Sequence, residues 1–525
     1  MKLSTSLSQR LANTSVYSAK QVLENEAKVA QSQNIAMYEL MKNAGQAAFD
    51  ELIKHWPHSK SILVLCGKGN NGGDGFVVAK LAQQANIHVD VIITCPIDKL
   101  KADALIAYQE MINSGVLDIK EQQTEEELHH NIAHIESYQG DVIVDALFGI
   151  GFSGLLDADM QQLVSSINKQ SIGVLSIDVP SGLCTTTGSV KGENIAVQAV
   201  IAEVTVTFIV IKQGLLTGLA ANFVGKLVLA PLMMNKAFIS QISSTVHYTT
   251  LKHNLYIPNR RASSHKGDIG MLLTVGGGEG MPGAIRLASE AALRCGVGLV
   301  SVSCHHKNQT SVINGRPELM LAATNSENLA NSLQLNKSKA LLIGPGLGQG
   351  EEANKLLDLL YQHSIESKKV MVADADALTL LSQREYQNDS WILTPHPKEA
   401  AALLHCDVTT VESDRFKAVR EIANKYGGIC LLKGAGTLIS DGEQVFINNS
   451  GNAGMASGGM GDVLSGVIAA ILMQSDNNFY ATCLAAYIHG AAADIIAQHN
   501  GQRGLLASDL FLPLQQLLNG KMSNY

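Results

Sequence analysis

Proline is scarce in this chain, 11 residues against 47 glycines, and its eight cysteines, at 66, 95, 184, 295, 304, 406, 430 and 483, form no C-x-x-C pair and no framework of short spacings. That absence excludes a disulfide scaffold and leaves reduced, mostly buried thiols. No stretch reaches the roughly 18 apolar residues needed to cross a bilayer. The first twenty residues mix Ser, Thr, Gln and Arg without a signal-peptide core. A cytoplasmic protein with no membrane association is therefore expected. The net charge is −8 with no basic cluster, which weighs against nucleic acid and favours a small-molecule substrate. The 16 histidines include the adjacent pairs His129-His130 and His305-His306, but none stands in H-E-x-x-H or Cys/His zinc spacing. No histidine-bound transition metal is expected on that ground. The run G-x-x-x-x-G-K-[ST] is also missing, so any nucleotide must be held without a P-loop.

What is present is a globular composition, 46% apolar and 16% charged, in a chain of 525 residues. That length exceeds one hydrophobic core and predicts two domains of roughly 250 residues each. The glycines cluster just after short apolar runs, which is the rhythm of βα units and gives an α/β fold class. In the first half the predicted strands are 61–66, 141–144, 173–177 and 200–211, with an edge strand over 225–229; the first three each precede a plausible helix. A polar passage over 233–254 marks the boundary between domains at 1–235 and 245–525. A second series follows, with strands over 269–275, 297–303, 340–343, 370–373, 391–393 and 429–432. A hairpin of 437–440 and 444–448, turning on Asp441-Gly442, comes next, then a helix over 462–473.

The first motif runs Leu65-Cys66-Gly67-Lys68-Gly69-Asn70-Asn71-Gly72-Gly73-Asp74-Gly75-Phe76 and reads as a strand, a nine-residue loop and a helix start. Glycines there let backbone N–H groups approach a ligand, and the helix start favours phosphate. Two aspartates, Asp145 and Asp178, end later strands. The carboxyl ends of parallel strands face one crevice, so both can converge on that loop and give it acid/base capacity. Either aspartate alone could instead cap the next helix.

In the second half the run Gly458-Gly459-Met460-Gly461-Asp462 opens a helix. Its free N–H groups and dipole suit phosphate or developing negative charge, and Asp462 can take a proton from a substrate hydroxyl as phosphate arrives. The bland alternative is an N-cap aspartate. Lys433-Gly434-Ala435-Gly436-Thr437, after a strand, offers a cation, close backbone approach and a hydroxyl around a diphosphate; Lys433 could instead be a solvent-facing strand end.

With Glu39-Leu40-Met41-Lys42-Asn43-Ala44-Gly45 upstream, the N-terminal motifs resemble the epimerase domain of bifunctional cofactor-hydrate repair enzymes over about residues 17 to 230. The resemblance implies a Rossmann-like three-layer domain that interconverts the R and S hydrates of NADH and NADPH. By it, Asn71, Asp145 and Ser181 would hold K⁺. Asn70, Asn71, Gly72, Gly73 and Asp74, with Gly149, Ile150, Gly151, Phe152, Ser153, Gly154 and Leu155, would line the hydrate pocket, and Asp178 would be the acid/base. Ile150 stands where many relatives carry Thr.

The C-terminal motifs, with Gly276-Gly277-Gly278-Glu279-Gly280, Gly344-Pro345-Gly346-Leu347-Gly348 and Thr394-Pro395-His396-Pro397-Lys398-Glu399, resemble the ribokinase-like dehydratase domain of the same enzymes. This implies dehydration of the S hydrate with ADP or ATP and Mg²⁺, by phosphorylating the hydroxyl and eliminating phosphate. Ala284, Gly346, His396 and Asp462 would then meet the hydrate, and Lys433, Gly434, Ala435, Gly436, Thr437 and Gly461 the nucleotide. A homo-oligomer is expected. Two other readings share these residues: a ribokinase-like kinase of a small alcohol, whose product would be a stable phosphoester, and a first half that binds without catalysing.

Overall fold

A computed structural model of the chain describes residues 15–192, 194–248, 257 and 260–520. It divides into two compact units, Met1–Val246 and His247–Tyr525. Of the polar passage over 233–254, residues 233–248 include a helix Asn235–Gln241 and a short strand Val246–Tyr248, while 249–254 lie outside the described residues.

The first unit is built on seven parallel strands: β1 (Ser61–Cys66), β2 (His88–Ile93), β3 (Asp118–Glu121), β4 (Val142–Ala146), β5 (Gly173–Ile177), β6 (Val204–Phe208) and β7 (Lys226–Ala230). Their order is β3-β2-β1-β4-β5-β6-β7. Side chains alternate across the sheet. Ile62, Val64 and Cys66 join one apolar cluster with Phe76, Val77 and Leu40, while Leu63 and Leu65 join another with Ile135, Leu163 and Val164. Burial of both sheet faces is why the central strands read as continuous apolar runs. The chain builds outwards from β1 to β3, then returns to β4 and builds the other way. The reversal opens a crevice at the carboxyl ends of β1 and β4, which is where α/β sheets bind ligands.

Three expectations need correction in this unit. The glycine motif is not a nine-residue loop: helix α1 (Asn70–Gln84) starts at Asn70, leaving only Gly67, Lys68 and Gly69 between strand and helix. Its glycines serve packing. A Cβ on Gly72 would overlap the carbonyl oxygen of Gly67, and one on Gly73 would meet the Met41 thioether. The long run over 200–211 is a strand only from Val204 to Phe208, because Ile209 turns out of it at φ 64°. Among the described residues no α-helix lies between β5 and β6; that stretch includes the short 3₁₀ turn Ile195–Val197.

In the second unit the strands are β8 (Met271–Val275), β9 (Leu299–Ser303), β10 (Leu319–Leu321), β11 (Ser338–Ile343), β12 (Val370–Ala373), β13 (Trp391–Leu393), β14 (Ile429–Leu432), β15 (Thr437–Ser440) and β16 (Val445–Asn448). They lie in the order β16-β15-β14-β13-β12-β11-β8-β9-β10. All pairs are parallel except the hairpin pairs β14/β15 and β15/β16. Helix α2 (Pro282–Arg294) packs on α3 (Met460–Leu472), where Gly466 lets the Ala288 backbone approach. Helix α4 (Asn478–Asn500) is long and apolar enough to cross a membrane, but 78% of its apolar window is buried inside the unit. It is a core helix by that burial.

Candidate active sites

The first unit carries a cleft of about 780 Å³ at its switch point. Of the residues assigned to a pocket from the sequence, Asn70, Asn71, Asp74, Gly149, Ile150, Gly151, Phe152 and Asp178 line this cleft; Gly72, Gly73, Ser153, Gly154 and Leu155 are outside the lining. Asp178 follows β5 with a left-handed backbone, φ 63°, uncommon for a residue with a side chain. Its Oδ1 accepts from Lys212 Nζ (2.6 Å), from the Phe208 N–H (3.1 Å) and from the Thr207 hydroxyl (3.2 Å). Lys212 is only 1% exposed and also donates to the Phe208 carbonyl (2.9 Å) and to Thr207 (3.1 Å). Two further carboxylates face this pair. Burial raises Asp74 well above the usual carboxylate range, and the charges of Asp178 and Glu26 push the same way against Lys212. Burial likewise raises Glu26, with Asp178 adding and Lys212 opposing. Three carboxyls around one buried ammonium cannot all be ionised cheaply, which favours a proton held on Asp74 or Glu26.

Beneath the cleft floor, Asp145 is fully buried, inside β4 rather than at its end. Its Oδ2 accepts from the Ser176 hydroxyl and the Ser181 N–H (both 2.8 Å), and its Oδ1 from the Ser181 hydroxyl (2.5 Å) and the Leu147 N–H (3.3 Å). Neither helix-cap alternative fits Asp145 or Asp178, since no α-helix starts at either. Ser181 Oγ accepts from the Phe148 N–H (2.9 Å), whose carbonyl accepts from Asn71 Nδ2 (3.0 Å). Asn71 Oδ1 is buried with no hydrogen-bond partner. An orphaned acceptor of this kind asks for a ligand.

In the second unit the carboxyl ends of β12, β13 and β14 bring Asp374, the His396–Glu399 turn and Lys433 together. Lys433 Nζ donates to Asp374 Oδ1 (2.9 Å) and lies 3.7 Å from Glu399 Oε2. Burial works against its charge, but Asp374, Glu399 and Asp462 outweigh that and raise its pKa, so it stays protonated. It is no solvent-facing strand end. Gly461 sits over this pair: a Cβ added there would meet Lys433 Nζ and Asp374 Oδ2. Gly459, at φ 87°, occupies the N-cap position of α3, so Asp462 is in the first helical turn and is not the cap. Burial, then the charge of Asp374, lifts Asp462 to about 6 against Lys433. Burial lifts Glu399 to about 7.

The remaining residues fall into two groups. Ala284 and Gly346 adjoin each other, and the Gly278 N–H donates to the Gly346 carbonyl (2.6 Å). The His396 ring caps the helix Pro397–Leu404: Nδ1 accepts from the Lys398 N–H (3.1 Å) and the Glu399 N–H (3.3 Å). Burial and Lys433 lower its pKa, in keeping with a neutral ring. Gly434 packs on the Arg415 guanidinium and its carbonyl accepts from the Thr437 hydroxyl (2.9 Å), which shapes the Ala435-Gly436 turn between them. Sequence reasoning missed Asp374, Asp376, Glu26 and Lys212 as site residues. Asp374 ends a strand as Asp178 does, and Lys212 is the one charge closing the apolar run 204–211, so both had a signal; Glu26, on an ordinary amphipathic helix, had none. Asp376 Oδ2 accepts from the Gly348 N–H (2.8 Å), and Ala375 between the two aspartates has φ 49° and ψ −123°.

Two α/β units, each gathering carboxylates around a buried lysine at the carboxyl ends of its strands, define a two-site enzyme of acid–base chemistry on small molecules. The chain matches the family described as NAD(P)H-hydrate dehydratase over residues 272–516 and that described as YjeF-related protein N-terminus over residues 37–214. It is 39% identical over 511 residues to the bifunctional NAD(P)H-hydrate repair enzyme Nnr of Escherichia coli (strain K12), covering 97% of this chain and 95% of that one. It is 40% identical over 508 residues to the enzyme of the same name from Vibrio cholerae, covering 96% and 98%. An ADP/ATP-dependent NAD(P)H-hydrate dehydratase from Bacillus subtilis, co-crystallized with ATP/Mg²⁺, is 29% identical, covers 52% of this chain and 97% of that chain, and has a TM-score of 0.48. The chain belongs to the family of bifunctional NAD(P)H-hydrate repair enzymes.

Proposed function

We propose that residues up to about 235 interconvert the R and S hydrates of NADH and NADPH, with Asp178 as acid/base, and that the part from about 245 dehydrates the S hydrate. The observation that carries this reading is the pair of separate carboxylate–lysine sites. In the first, Lys212 binds and orients Asp178, while Asp74 or Glu26 supplies the complementary proton. Asn70, Asn71 and the turn Gly149 to Phe152 position the nicotinamide and ribose. The donor set beneath suits K⁺: the orphaned Asn71 Oδ1, the Ser181 hydroxyl and the Phe148 carbonyl are hard oxygens, with the Asp145 carboxyl behind them. A bound K⁺ would supply a fixed positive charge at the floor of the cleft.

In the second site Asp462 takes the proton of the substrate hydroxyl as its oxygen accepts a phosphoryl group from ADP or ATP. The phosphorylated oxygen then leaves as phosphate, the neighbouring ring carbon loses a proton, and the ring double bond is restored. Lys433 offsets the charge gathered there, and the α3 N–H groups around Gly461 face the phosphates. Mg²⁺ would accompany the nucleotide, with Asp374 and Asp376 as the nearest hard donors. The test supplies mixed R and S hydrates, nucleotide, Mg²⁺ and K⁺ and follows the return of reduced-nicotinamide absorbance. Recovery of both epimers is expected; no recovery with either nucleotide, or a stable phosphoester in its place, overturns the reading.

A further inference from the structure

The amino ends of β2 and β3, on the sheet edge away from the cleft, carry a second constellation of polar side chains. His88 and Asp90 are two apart on β2 and share a face, and Asp118 on β3 stands opposite Asp90 in the parallel register. The helix Glu125–Ser137 crosses that face and adds His134. His88 Nε2 lies 3.4 Å from Asp90 Oδ1 and 3.7 Å from Asp118 Oδ2, and His134 Nε2 lies 3.1 Å from Asp90 Oδ2. The ligand atoms of His88, Asp90 and Asp118 all fall within 4.8 Å of one another.

We propose that His88, Asp90, Asp118 and His134 form a binding site for a divalent transition cation of the zinc class, structural in role. Two imidazoles and two carboxylates are the donors such a cation prefers, and bonds of about 2.1 Å in a tetrahedron place neighbouring ligand atoms about 3.4 Å apart. The spacings of His88 to Asp90 and Asp118 and of His134 to Asp90 bracket that value; His134 joins the mutually close trio through Asp90 and would swing towards the ion as the fourth ligand. Asp90 meets one imidazole with each oxygen, so it can bind through either or both. The site is walled on one side by Asp90 and His134, whose side chains are 11% and 26% exposed, and open on the other at His88 and Asp118, 57% and 56% exposed, which gives the ion a path in. The cation would pin two strands to a helix. No spacing motif announces it because its ligands come from three separate elements.

The full chain, stripped with a chelator, is titrated with Zn²⁺ alone by calorimetry and with Co²⁺ by visible absorption. The expected result is one cation per chain whose binding weakens at least tenfold in His88→Ala and in Asp118→Ala, both exposed positions whose loss leaves the fold intact by circular dichroism. His134→Gln should lose the intense band of four-coordinate Co²⁺, and Zn²⁺ should raise the melting temperature of the parent chain but not of His88→Ala. The proposal is overturned if the parent chain takes up no Zn²⁺, or if the variants bind it as the parent does, which would assign the binding to other surface histidines.

Discussion

Asp462 is placed to act as a base only when ionised, and its surroundings set where that happens. Burial and the Asp374 charge lift it to about 6, so the carboxylate form dominates above that pH and is lost as pH falls through it. The kcat/KM for dehydration of the S hydrate should therefore stand at about nine tenths of its plateau at pH 7 and about one tenth at pH 5, a tenfold change over those two pH units. The neighbours fix the direction in which variants move that limb. Removing the opposing charge with Lys433→Met should shift it to higher pH, and removing the like charge with Asp374→Asn should shift it lower. Glu399, held near 7 by burial, titrates in the same site, so Glu399→Gln is the control and should leave the limb near 6. The measurement is single-turnover recovery of reduced-nicotinamide absorbance across pH. A limb at the ordinary aspartate value, or one that disappears in Glu399→Gln, refutes Asp462 as the base.

Further expectations concern the first unit. Asp178→Asn should leave the S hydrate repaired and the R hydrate stranded, on a timescale where spontaneous epimerisation is slow; equal recovery of both forms removes Asp178 from the reaction. Lys212→Met takes the cation from a buried pair and should cost about 3–5 kcal/mol in denaturant unfolding of this unit, because Asp178 is left uncompensated. A change below about 1 kcal/mol would mean the pair is solvated. Gly72→Ala drives a methyl group into the Gly67 carbonyl and should destabilise by about 1–3 kcal/mol while weakening hydrate binding, read from the urea midpoint and from KM.

The sheet strands were legible where burial imposes its signature. Val370–Ala373, Trp391–Leu393 and Ile429–Leu432 are short apolar runs covered on both faces, and their ends are visible from sequence. Asp118–Glu121 is an edge strand with one apolar residue, Ile119, and no buried one, and carries no such pattern. The glycine motif misled in an instructive way: glycine signals either a loop or close packing, and only the neighbours Gly67 and Met41 decide which. Strand-end acids pointed to Asp145 and Asp178, but Lys212 and Glu26 reach the same cleft by tertiary packing, which a local reading does not see. His396, assigned to the hydrate by the resemblance of its run, also has a local role that the sequence does not announce: its ring caps a helix.

The Asp374-Ala375-Asp376 turn has a consequence for how the second site is wired. In an extended strand two residues at that spacing would look out on the same side. The torsion at Ala375 breaks that alternation: one aspartate holds Lys433, while its near neighbour holds the amide of Gly348 on a different loop. A single backbone rotation thus yokes the proton-handling floor to the glycine loop beside Gly346. With alanine rather than glycine in that conformation the turn is strained, and the contacts of the two aspartates on either side must hold it there.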